Sequence, residues 1–182
     1  MDRKELFIRV FEYFAKNNPE PAVELTYTTP YQLMVAVILS AQCTDVRVNL
    51  ITPAFFKQFS DFNQLADATS EEVYALIKSC SYPNNKTRHL IQMAEAVVTK
   101  YDGNIPSAIN ELESIPGLGR KSANVIASVI YNLPVMPVDT HVFRVANRIG
   151  LTRNAKNPKQ SENQLVSNIP KALLPKAHRW LV

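Results

Sequence analysis

An all-helical fold is predicted by three features of the sequence. Apolar residues recur at helical spacing through most of the chain, the run Tyr31 to Ser40 is apolar nearly all round, and no stretch shows strand alternation, a fixed-period repeat or a domain linker. With 182 residues and 46% hydrophobic content, the chain is long enough for one good core or two small ones.

Taken in order, Leu6, Phe7, Val10, Phe11 and Phe14 share one helix face, and Asn17-Asn18-Pro19-Glu20-Pro21 ends that helix before a polar connector. Thr29-Pro30 then opens the apolar run to Ser40, which reads as a central helix deep in the fold. At Leu39-Ser40-Ala41-Gln42-Cys43-Thr44-Asp45 the buried run gives way to polar residues, and Thr44 or Asp45 can cap the helix that follows. Cys43 reads as a small residue of buried type, with no chemistry assigned to it. Val46 to Phe59, with Pro53 in its first turns, and Glu71 to Lys78 have helical spacing and read as scaffold. Ser79 to Lys86 breaks the pattern, with Asn84 as cap, before a long helix to Lys100. Asp102-Gly103 stops that helix, Ile105-Pro106-Ser107 begins the next, and Leu112 and Ile115 lead into a glycine-rich turn. Beyond Gly150, Thr152 to Gln160 is polar and basic and reads as a solvated loop, and Leu165 to Val182 holds two short apolar segments separated by Pro170 and Pro175.

Net charge is +4, unevenly spread. Residues 1 to 119 hold 10 Lys/Arg and 14 Asp/Glu, whereas residues 120 to 182 hold 10 Lys/Arg and only Asp139 and Glu162, so the parts carry about −4 and +8. A basic half is an electrostatic footprint for nucleic acid, though an acidic membrane surface or solubility alone would also account for it. Cys43 and Cys80 are the only cysteines. With no Cys-x-x-Cys and no His pair at ligand spacing, neither a disulfide framework nor a metal site is indicated, and a reducing cytoplasm suits the chain. The N-terminus lacks the apolar core of a signal peptide, and no run approaches the length that spans a bilayer.

Ser114 to Gly150 carries most of the functional signal. The chain has four glycines, and Gly117 and Gly119 stand one residue apart ahead of an Ala/Val/Ile-rich helical run. Pro116-Gly117-Leu118-Gly119 can turn sharply with its amides facing outward beside a helix N-terminus, where Arg120 and Lys121 add two cations, and such a place suits a phosphate. On those four residues alone an ordinary interhelical turn is the simpler reading. Arg120 to Tyr131 carries the chain roughly 18 Å away as helix. Asn132 to Val138, extended around Pro134 and Pro137, spans roughly 23 Å, enough to return to the level of Lys121. Asp139 can therefore approach Lys121 while also capping the run Thr140 to Ile149, which Gly150 terminates.

Ile-Pro-Gly-Leu-Gly-Arg-Lys-Ser-Ala-Asn-Val, followed by Val-Asp-Thr-His-Val-Phe-Arg-Val, resembles the endonuclease III branch of the helix-hairpin-helix DNA glycosylase superfamily. The resemblance covers nearly all 182 residues. It implies a two-lobed helical fold, with one lobe over residues 21–133 and the other joining residues 1–20 to residues 134–182. It implies that Lys121 and Asp139 are catalytic, that Gln42 fills the space left by an extruded nucleotide, and that Tyr82 stands where the family carries an apolar wedge, usually leucine. Pro83 departs from the family pattern at that loop. Gly117, Leu118, Gly119, Arg120 and His141 fall at DNA-binding positions. The implied activity is base-excision repair: a glycosylase with associated lyase activity that removes oxidised pyrimidines from duplex DNA through a lysine Schiff base. A monomer working on damaged or abasic duplex DNA in the cytoplasm, with no membrane partner, is the simplest expectation. Relatives usually continue into a loop with four cysteines that ligate an iron–sulfur cluster. The 182 residues contain none of those cysteines, so no cofactor is expected on this chain, and a [4Fe-4S] cluster is expected only if a C-terminal segment is missing. The sequence leaves two alternatives open, a non-enzymatic helix-hairpin-helix DNA-binding protein and a weakly active truncated glycosylase.

Overall fold

The computed structural model describes residues 2–21 and 24–182. Its helices are α1 (Arg3–Asn17), α2 (Pro30–Ser40), α3 (Asp45–Gln58), α4 (Phe62–Ala66), α5 (Ser70–Ile77), α6 (Pro83–Tyr101), α7 (Ile109–Ser114), α8 (Arg120–Tyr131), α9 (Thr140–Arg148), α10 (Pro158–Val166) and α11 (Leu174–Leu181), with a 3₁₀ turn at Lys171–Leu173. The described residues include no strand, as the sequence predicts.

The helix starts follow from side chains that satisfy orphan amides. Thr29 accepts from the Gln32 N–H with Pro30 in the first turn of α2, Thr44 accepts from Arg47 at the head of α3, and Thr69 and Glu72 form a reciprocal capping box on α5. Other starts differ from the sequence expectation. Asn84 lies inside α6; Tyr82 is the cap residue, with left-handed backbone and no side-chain bond, and Pro83 holds the first helical position. Pro53 sits past the middle of α3. α7 starts at Ile109, after the Ile105-Pro106-Ser107 segment. The stretch read as a polar loop turns helical at Pro158, because Asn157 accepts from the Gln160 N–H and starts α10.

The chain divides into two compact units, Glu24–Ile126 and a second made of Met1–Val23 with Ala127–Val182, the division running through α8. In the first, α2 is central: Leu33 to Leu39 are buried on every face, against α3 and α6, which explains an apolar pattern with no polar side. The Tyr31 hydroxyl donates to the Phe59 carbonyl at 2.8 Å, so this buried polar tip is satisfied. In the second unit, Phe7 and Phe11 of α1 pack with Val142 and Ala146 of α9 and with Trp180 and Leu181 of α11. Arg3 donates to the Leu151 carbonyl at 2.8 Å and to Gln164 at 2.8 Å, and the Trp180 indole donates to the Asn18 carbonyl at 2.8 Å.

Candidate functional site

The turn between α7 and α8 is held from below. Ile115 and Leu118 are buried, and the Leu118 N–H donates to the Ile115 carbonyl at 3.1 Å. The Leu118 side chain is therefore an anchor, and only its backbone can meet a ligand. Gly117 has φ +84, and a Cβ there would stand 2.9 Å from the His89 Cβ and 3.3 Å from Ile38 Cδ1. Both conformation and the floor supplied by α6 and α2 thus require glycine at 117. Gly119 differs: its φ is not left-handed and a Cβ would meet nothing within 4 Å. Its carbonyl accepts from the Ala123 N–H at 2.9 Å and so begins the ladder of α8. The open space in front of Gly119 is where a ligand could approach the backbone.

Arg120 and Lys121 open α8. Arg120 donates to Glu113 at 3.0 Å in a pair whose side chains are 41% and 32% exposed, a contact that solvent screens and a phosphate can displace. Lys121 is half-buried, and Asp45 lies within electrostatic reach of its ammonium. Burial first, then a hydrogen bond with Glu24 and the charge of that carboxylate, push the Asp45 carboxyl up to about 6, against the downward pull of Lys121. Sequence reasoning missed Asp45 and Glu24. Asp45 reads as an alternative helix cap, but Thr44 takes that role and leaves the aspartate side chain for Glu24 and Lys121; Glu24 lies in a segment with no periodic signal at all.

Gln42 and Tyr82 occupy two turns of the same unit. Both have left-handed backbone, with φ 54 and 55, and Tyr82 is 63% exposed. The Ser81 hydroxyl donates to the Gln42 carbonyl at 2.7 Å, which ties one turn to the other. Below them the Lys86 ammonium, 4% exposed as a residue, donates to the Leu39 carbonyl at 2.7 Å and satisfies the C-terminal end of α2.

Asp139 and His141 belong to the other unit. Asp139 caps α9, its carboxylate accepting from the Val142 N–H at 2.8 Å, so one oxygen is fixed by the helix it starts. His141 is exposed, with Nδ1 3.2 Å from the Arg144 guanidinium. Among the described residues no three His, Cys, Asp or Glu side chains gather as a metal site, and no helix is long and apolar enough to cross a membrane. Two cysteines do not fit a four-thiolate cluster.

Residues 35–171 match the family described as HhH-GPD superfamily base excision DNA repair protein. Endonuclease III of Rickettsia conorii is 41% identical over 174 residues, which cover 96% of this chain and 82% of that protein. Endonuclease III of Escherichia coli K12 is 34% identical over 180 residues, covering 99% of this chain and 83% of that one. The solved structure of a trapped endonuclease III–DNA covalent intermediate superposes with a TM-score of 0.94 at 34% identity, over 100% of this chain and 85% of that chain.

Proposed function

This chain belongs to the HhH-GPD superfamily of base excision DNA repair proteins, and on that premise we propose how its residues carry out the work of a DNA glycosylase with associated abasic-site lyase activity. The observation that supports this assignment of roles is that Lys121 opens α8 directly behind the glycine turn, within electrostatic reach of the Asp45 carboxyl.

A duplex hides both the base and the sugar C1′, so the damaged nucleotide must leave the stack at a cost of about a few kcal/mol, least for a poorly stacked base. Gln42 and Tyr82, on their linked turns, hold the vacated stack open. The backbone around Gly119 grips a phosphate at the N-terminus of α8, and Arg120 exchanges Glu113 for a second phosphate contact. The basic residues from Arg120 onward add salt-dependent affinity that reads no sequence.

The Lys121 amine attacks C1′, the N-glycosidic bond breaks, and the base departs with the bonding electrons and a proton. Asp45, ionised at neutral pH, takes the proton that Lys121 must lose before it attacks. Asp139 stabilises the positive charge that develops on the sugar. Ring opening gives a Schiff base, loss of a C2′ proton drives elimination of the 3′ phosphate, and water releases Lys121. No step runs through a cluster. We take oxidised pyrimidines as the substrate class, a monomer as the working form and the cytoplasm as the place of action. These assignments rest on the family resemblance.

Borohydride trapping on a duplex containing an oxidised pyrimidine, with an abasic duplex alongside, tests this reading. The expected result is a covalent adduct that Lys121→Ala abolishes while retaining part of the DNA affinity. An adduct of undiminished yield in Lys121→Ala would remove the central assignment.

A further inference from the structure

A recess lies within the Glu24–Ile126 unit, along the helical hairpin that α5 and α6 make. It is an open cleft of about 320 Å³, lined by Ser70, Glu71 and Tyr74 of α5 and by Asn84, Thr87 and Arg88 of α6. Helical spacing brings these side chains together: Ser70 and Tyr74 stand one turn apart on α5, and Asn84, Thr87 and Arg88 fall at i, i+3 and i+4 on α6. Arg88 is six residues beyond Tyr82, roughly 9 Å along the helix axis.

None of these side chains is committed to a polar partner. Among the described residues, the side chains of Ser70, Glu71, Tyr74, Asn84 and Arg88 make no hydrogen bond, ion pair or ring contact. Their neighbour Glu72 is taken up by the capping box with Thr69, whereas Glu71 is left to the cleft. Thr87 stands apart from the rest. It is 4% exposed, and its hydroxyl has no hydrogen-bond partner. A helical threonine ordinarily turns its hydroxyl to a carbonyl one turn earlier, and a buried polar group left without a partner costs free energy. A partner from outside the chain relieves that cost.

The Tyr74 ring, 38% exposed, offers a platform for a flat aromatic group. The Asn84 amide both donates and accepts, the Glu71 carboxylate accepts from an amine, and the Arg88 guanidinium pairs with phosphate. A cation and an acid in one cleft suit neither a bare anion nor a bare cation. They suit a ligand with an amino-bearing ring at one end and a phosphate at the other. The volume is at the small end of ligand clefts, room for one nucleotide. We propose that the α5–α6 cleft is a subsite for a single unpaired nucleotide whose base carries an exocyclic amine, adenine or cytosine. The base lies on Tyr74, its amino group donates to Glu71, its ring edge meets Asn84 and the Thr87 hydroxyl, and its phosphate reaches Arg88. Such a nucleotide comes either free in solution or as a looped-out residue of bound DNA. The second source rests on the repair reading given above; the first does not.

Titration of the full chain with dAMP, dTMP and inorganic phosphate, followed in ¹H–¹⁵N spectra, tests the subsite. dAMP should shift the amides of residues 70–74 and 84–88 and bind about fivefold or more tightly than dTMP, with phosphate alone weaker than both. Tyr74→Ala and Arg88→Ala should each weaken dAMP about tenfold, Tyr74→Phe should not, and Glu71→Gln should erase the preference over dTMP. Thr87→Val, the same shape without the hydroxyl, should melt no lower than the parent yet bind dAMP less tightly, which a purely structural threonine would not do. The DNA arm compares a fully paired duplex with one carrying a looped-out deoxyadenosine. The parent should prefer the second by about tenfold and Tyr74→Ala should not, while borohydride trapping on the lesion duplex stays equal in the two proteins. Localised shifts with dAMP alone assign the free nucleotide, and a Tyr74-dependent preference for the looped-out duplex alone assigns the DNA source. Neither response, or shifts confined to other residues, overturns the subsite. A protein that binds dAMP in the cleft but ignores every duplex would instead count against the repair reading and leave the subsite standing.

Discussion

The Ser81 hydroxyl donates to the carbonyl of Gln42 at 2.7 Å, across 39 residues of sequence. That bond fixes a residue expected in the vacated DNA stack to the residue that precedes the expected wedge. Both neighbours, Gln42 and Tyr82, hold left-handed backbone that non-glycine residues seldom adopt, so the turns keep their shape through contacts of this kind. Ser81→Ala removes about 0.5–1.5 kcal/mol of turn-to-turn coupling. We expect affinity for an abasic duplex to fall about two- to tenfold. Fluorescence anisotropy measures that loss, and thermal melting should show an unfolding temperature close to that of the parent.

Tyr82 offers an exposed ring to whatever enters between the turns. Stacking on a base is worth about 1–3 kcal/mol. Tyr82→Phe should therefore retain the affinity for the abasic duplex and Tyr82→Ala should lose at least about tenfold, measured in one titration series. Equal affinities for the two variants would exclude stacking.

The two hairpin glycines should separate stability from binding. An alanine at 117 needs left-handed backbone and places its Cβ 2.9 Å from the His89 Cβ, so Gly117→Ala should cost about 2–4 kcal/mol, a fall of roughly 4–16 °C in melting temperature. Gly119→Ala meets open space and should melt with the parent, yet bind duplex DNA less tightly because its methyl group occupies the approach to the backbone. Calorimetry and binding on the same samples distinguish the two.

Glu113 holds the Arg120 guanidinium to which we assign a phosphate contact. Their exposed pair contributes about 0–1 kcal/mol, so Glu113→Gln should leave the melting temperature nearly unchanged. With the Glu113 charge removed, Arg120 should raise duplex affinity by about two- to fivefold at low salt, with the gain fading as ionic strength rises. A salt titration of both proteins reads the effect.

Asp45 sets a pH dependence whose sign follows from its raised value. Between the usual carboxyl value of about 4 and the folded value of about 6, the folded chain keeps a proton that the unfolded chain has released. Its favourable contribution is complete below about pH 4 and is lost as pH rises through about 6. Asp45→Asn, neutral throughout, should unfold at a higher temperature than the parent at pH 8, with the difference shrinking toward pH 4. The same variant should slow borohydride trapping at pH 7, where the parent carboxylate is ionised and faces Lys121.

Much of this protein was legible in its residue order. The helical class, the buried α2, the caps at Thr44 and Asp139, the stop at Gly150 and the glycine turn ahead of Lys121 all rest on local chemistry: side-chain periodicity, the hydrogen bonds of a few polar residues and the conformational freedom of glycine. The family motif around Lys121 is contiguous, so it too could be read directly. Tertiary structure decided what depends on residues far apart in sequence. His89 and Ile38 make glycine obligatory at 117; burial and the neighbouring Glu24 raise the Asp45 carboxyl against the pull of Lys121; Ser81 ties Gln42 to the Tyr82 turn. Periodicity reports which face of a helix is buried, but not which side chain of another helix lies against it, and each of these contacts is of that second kind.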